Sequence, residues 1–156
     1  MNWIDRKFAR ESNLVNGAPE VWQKVVIAIG DVFKSFTAKY ERPTVHHFTE
    51  HNHAIRVNVE LPCQPYPGMP DGIPRVNSVQ IVFDEHQSTV SVTLNRNSPL
   101  EFPFASDEDE CFITYRKEKV SVDKLTELAL YDAFFEEPAA PSPQQYRPQN
   151  SGSNWR

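Results

Sequence analysis

The apolar pattern of this chain changes once, at Arg42-Pro43, and that change restricts the fold to a helix laid against a sheet. From Pro19 to Tyr40 the residues Val21, Trp22, Val25, Val26, Ile29, Val32, Phe33, Phe36 and Tyr40 recur at three- and four-residue steps, while Gln23, Lys24, Asp31 and Lys34 take the other side. At about 100° per residue the apolar stripe is roughly 160° wide, which suits a helix lying across a sheet. Pro19 near the first turn and Glu20 beside the positive helix end mark a start there. Gly30 interrupts the stripe and suggests a place where a strand comes close. Upstream, Trp3, Ile4 and Phe8 predict a separate short amphipathic helix that folds back on the domain.

After Pro43 the period becomes two. Ile55, Val57, Val59 and Leu61 face one way and Arg56, Asn58 and Glu60 the other, as in a half-buried strand. Val79, Ile81 and Phe83 repeat the pattern, as do Val90, Val92 and Leu94, with a hairpin expected across residues 84–88. Residues 100–104 alternate too, and Pro103, which has no N–H to give a ladder, assigns them to an edge strand. Cys111, Ile113 and Tyr115 form the inward set of one more strand.

Ser121 is an N-cap for a second helix reaching about Phe135. Its large apolar residues divide: Leu125, Leu128, Tyr131 and Phe135 share one side, and Leu130 and Phe134 project from nearly the opposite one. The first set is expected on the sheet. Leu130 and Phe134 are then candidate interface residues of a homodimer, because a pair of that kind left in water invites association; the competing account is a cover by Trp3, Ile4 and Phe8 of the same chain.

The expected fold class is α+β: a long N-terminal helix packed on a four- or five-stranded antiparallel sheet, followed by a C-terminal helix. Residues 1–137 form a single domain. Residues 138–156, with four prolines among Gln, Ser and Asn, are expected to be a disordered tail, since they carry too little apolar surface to offset the entropy of ordering.

Several function classes are disfavoured. Residues 43–137 hold seven basic and sixteen acidic side chains, a net charge of −9 that repels phosphates, so no nucleic-acid partner is expected. The longest apolar run, Val25 to Ile29, is five residues against the ~20 that span a bilayer, so no membrane partner is expected. Two cysteines, Cys63 and Cys111, without C-x-x-C spacing, indicate a reducing, cytoplasmic setting. The five glycines are scattered, with no phosphate cradle, and no cofactor is expected. The acidic run Asp107-Glu108-Asp109-Glu110 lacks the alternating ligands of a calcium loop and reads as a solvated turn.

One cluster suggests chemistry. His47, His51 and His53 alternate on the side of Ile55 and Val57 if the strand extends backward, and imidazoles two apart on a strand can share a metal. Residues 62–74, with five prolines, form either an edge-protecting connection or a stiff recognition loop. No motif specifies a reaction. The sequence therefore points first to a non-catalytic cytoplasmic binding or protein-interaction module that self-associates and takes a protein or small-ligand partner. Second comes a small enzyme or metal-binding protein using His47, His51 and His53.

Overall fold

In a computed structural model, residues 2–40, 53–61 and 75–135 are described. The tail at 138–156, the proline-rich loop at 62–74, and Cys63, His46, His47 and His51 lie outside them.

The first element, α1 (Trp3–Tyr40), is one helix of 38 residues, about 57 Å long. The separate short helix expected around Trp3, Ile4 and Phe8 is its first turns. Its start is capped by Asn2, whose side-chain oxygen accepts from the Asp5 N–H at 2.9 Å while Asp5 reaches back to the Asn2 N–H at 3.4 Å. Pro19 is thus interior rather than initial. It removes the bond to the carbonyl of Val15 and crowds that carbonyl, at a cost of ~3 kcal/mol relative to Ala in a helix interior. Here both Pro19 and Val15 are exposed, so water can take up that carbonyl. Ala18, Trp22, Val25, Val26, Ile29, Phe33 and Phe36 are the buried residues. Among the described residues nothing lies within 4 Å of a β-carbon placed on Gly30, so none of the described strands approaches it.

Among the described residues six strands follow in sequential antiparallel order: β1 (Ala54–Leu61), β2 (Arg75–Asp84), β3 (Thr89–Leu94), β4 (Leu100–Ser106), β5 (Cys111–Tyr115) and β6 (Glu118–Val120). The register aligns the inward residues across strands. Ile55 pairs with Ile81 and Ile81 with Val92, while Val90 pairs with Phe102 and Phe104 with Ile113. The sixth strand, absent from the sequence expectation, closes a two-residue hairpin in which Arg116 and Lys117 both have positive φ, 52° and 69°. A turn of that shape normally announces itself through Asn or Gly, and neither is present.

Pro103 does not mark an edge. It sits in an inner strand, paired with Thr89 of β3. The Phe104 N–H donates to Ser88 O at 2.7 Å on the β3 side, so the ring nitrogen of Pro103 faces β5. There the β4–β5 ladder ends, and the Thr114 hydroxyl donates to Pro103 O at 2.7 Å. Proline is accommodated at the end of a ladder rather than at the edge of the sheet.

The last element, α2 (Val122–Phe135), begins at Ser121, whose Oγ accepts from the Lys124 N–H at 3.0 Å. Its buried residues are Leu125, Thr126, Ala129, Leu130, Ala133 and Phe134. Both helices lie on the inward face of the sheet, α1 over β4 and β5 and α2 over β1 to β3, and they touch each other. This arrangement corrects the expected division of α2. Leu130 and Phe134 are 1% and 3% exposed, in the chain's own core, whereas Tyr131 and Phe135 are exposed. Phe134 stacks on Phe36 with ring centroids 4.1 Å apart and meets the edge of Phe33 at 5.1 Å. The cover for this face comes from the far end of α1, not from Trp3, Ile4 and Phe8. Buried Asn77 of β2 ties the end of α2 down, donating to Ala133 O at 3.1 Å and accepting from the Asn95 amide at 3.0 Å.

Candidate interaction surfaces

In the layer between helices and sheet, Ile29, Ile55, Ile81, Phe102, Leu125 and Leu130 are among the fully buried side chains.

His53 precedes β1 with φ 57°. Its Nε2 lies 2.7 Å from Glu85 Oε1, and its ring meets the edge of Phe83 at 5.7 Å. The carboxylate partner comes from the β2–β3 hairpin. Among the described residues no three His, Cys, Asp or Glu side chains converge as metal ligands; His47 and His51 lie outside those residues.

A groove of about 330 Å³ runs between α1 and the start of β5, lined among others by Asn13, Gly17, Glu20, Lys24, Glu110 and Cys111. Its wall is the acidic run, which folds as a turn. Asp107 accepts from the N–H groups of Glu110 at 2.7 Å and Asp109 at 2.8 Å, and these bonds hold its carboxyl below the ordinary range. The turn also anchors α1: Asn13 donates to the carbonyls of Asp107 at 3.0 Å and Glu108 at 2.9 Å, and Arg6 and Arg10 lie 3.8 and 3.9 Å from the Glu108 carboxylate. The Cys111 thiol is half-buried; burial first, and then the Glu110 carboxylate, push it above its ordinary range. It is therefore a protonated thiol at neutral pH, the wrong form for a nucleophile.

Helix and strand meet here without room for a side chain. A β-carbon on Gly17 would lie 2.6 Å from Cys111 Cβ. Gly17→Ala should consequently destabilise by about 1–3 kcal/mol, although Ala is the better helix former, because Cys111 Cβ is fixed to its strand. Urea unfolding of the variant checks this, and added stability would mean that α1 stands further from β5.

Three surfaces remain. The outer sheet face carries a shallow polar depression of about 280 Å³ lined by Arg56, Asn58, Ser78, Gln80, Thr93 and Asn95. At the end of α1, Tyr40, Tyr131 and Phe135 form an exposed aromatic group, with Phe135 5.4 Å from Tyr40 and 5.1 Å from Tyr131. The third surface is the first half of α1. Trp22 stacks on Phe83 near the end of β2, and the helix continues about 28 Å beyond Trp22 to Trp3, past that strand end. In that stretch Ile4, Phe8 and Val15 are 57%, 70% and 71% exposed. At ~100° per residue they lie within about 40° of one another. They are roughly opposite Arg6, Arg10, Asn13 and Gly17, which hold the helix to the acidic turn and β5.

These are not the residues the sequence singled out for an interface. The signal that reveals them is a seven-residue step running the length of the helix: Phe8, Val15, Trp22, Ile29, Phe36. Each step returns to within ~20° of the same side. Reading a helix start at Pro19 cut that series in two. Comparison with protein-family models, with curated proteins and with solved structures finds no match to this chain.

Proposed function

We propose that the chain is a non-catalytic, cytoplasmic protein-interaction module that self-associates and binds neither nucleic acid nor membrane. The observation that carries this reading is a row of exposed apolar side chains on a well-formed helix, outside the buried core. Phe8 and Val15 stand outside the packed layer, and large apolar side chains exposed along one face of a helix mark a contact site. The raised Cys111 thiol speaks against a nucleophilic role for that residue, which is compatible with a binding role. The acid-rich middle of the chain argues against phosphate backbones as partners.

Metal analysis of the full chain, purified without a histidine tag, separates this from the second reading. Zinc, iron and manganese are expected well below one equivalent per chain. One equivalent, lost on His53→Ala, would replace the module with a metal-binding protein built on His47, His51 and His53.

A further inference from the structure

We propose that the partner of the exposed half of α1 is a second copy of this chain, its own α1 laid antiparallel along Ile4, Phe8 and Val15. This rests on the module reading above and names its surface and partner.

The first argument is continuity. Two rows recur at seven-residue spacing along α1, one of Phe8, Val15, Trp22, Ile29 and Phe36, the other of Ile4, Glu11, Ala18, Val25 and Val32. Adjacent rows of this spacing make the seam along which helices pair. From Ala18 onward the seam is buried against the chain's own sheet and α2, Val32 only partly; before Ala18 the same seam has no cover among the described residues. A helix is a natural occupant for a seam that is already helix-shaped.

The second argument is charge. Glu11 is the one ionic residue in the exposed part of the seam, with Lys7 one turn away at 2.9 Å and beside it. In a parallel pair the two Glu11 side chains would meet each other in the contact, and like charges there oppose association. In the antiparallel pair that sets Ile4 against Val15, Glu11 falls opposite Phe8 and within reach of Lys7 of the second copy. Each Glu11 then has a lysine from both chains, and its methylene stem lies along an aromatic ring. The exposed segment is thus self-complementary in one direction only.

Sedimentation of the full chain at concentrations on the order of 100 μM tests the association. A dimer is expected for the parent and a monomer for Phe8→Glu, with the melting temperature of dilute protein nearly unchanged because Phe8 is outside the core. Direction is read by oxidation in a Cys63→Ser, Cys111→Ser background: a mixture of Ile4→Cys and Val15→Cys chains should cross-link to a mixed dimer, and neither chain alone should. Cross-linking of each alone would overturn the antiparallel contact. A monomeric parent would overturn the proposal, as would a dimer that survives Phe8→Glu or a monomer that instead binds anionic phospholipid vesicles through Phe8. A dimer that survives Phe8→Glu overturns this contact and leaves the self-associating module in place, a monomeric parent overturns the contact and self-association together, and stoichiometric metal overturns the module reading whatever the contact.

Discussion

Phe134→Ala should lower the unfolding free energy by about 3–5 kcal/mol, the range for removing a buried aromatic side chain from a packed core. The ring is 3% exposed, stacks on Phe36 and meets the edge of Phe33, so its loss opens a cavity between the two helices and removes their ring contacts together. Urea unfolding should show a lower midpoint with an unchanged slope. A loss below about 0.5 kcal/mol, typical of a surface position, would place Phe134 in solvent and return it to the role of an interface residue.

The misplacement of Phe134 in the sequence expectation has a specific cause. Only the large apolar residues of α2 were weighed, and those divide between two sides. Thr126, Ala129 and Ala133 complete the buried stripe, and they are small or polar. Small residues let two helices and a sheet approach closely, and they leave little trace in a pattern of bulky side chains. The sheet was legible because most inward strand positions are β-branched, leucine or aromatic residues, with Asn77 and Cys111 the exceptions, and that alternation fixes both face and register. Ile55, Ile81 and Val92 align as the alternation requires. What alternation cannot supply is the shape of a turn: Arg116 and Lys117 adopt positive φ because the β5–β6 pairing requires it.

Pro19 misled in a related way. A proline early in an apolar-periodic segment reads as the first helical position, and locally that reading is sound. The overriding signal lay at the terminus, where Asn2 and Asp5 form a reciprocal cap. Of the candidate site, His53 precedes β1 instead of lying within it, its φ of 57° ends the alternation that the sequence extended backward, and its partner Glu85 is 32 positions away in sequence and could not be read from local pattern. The exposed half of the α1 seam was present in the spacing of Phe8, Val15 and Trp22. It became visible once those residues belonged to one helix.

The central claim is that one helix divides its apolar seam between core and open surface, and a pair of substitutions fourteen residues apart tests it most directly. Trp22 and Phe8 occupy the same row of α1; Trp22 is buried on Phe83 and Phe8 is exposed. Urea unfolding of the full chain should be measured at high dilution, where copies do not pair. Trp22→Ala is expected to lose about 3–5 kcal/mol, as for any large aromatic taken from a core. Phe8→Ala is expected to stay within about 0.5 kcal/mol of the parent. A comparable loss at both positions would contradict the division, because it would mean that the whole seam is packed within a single chain.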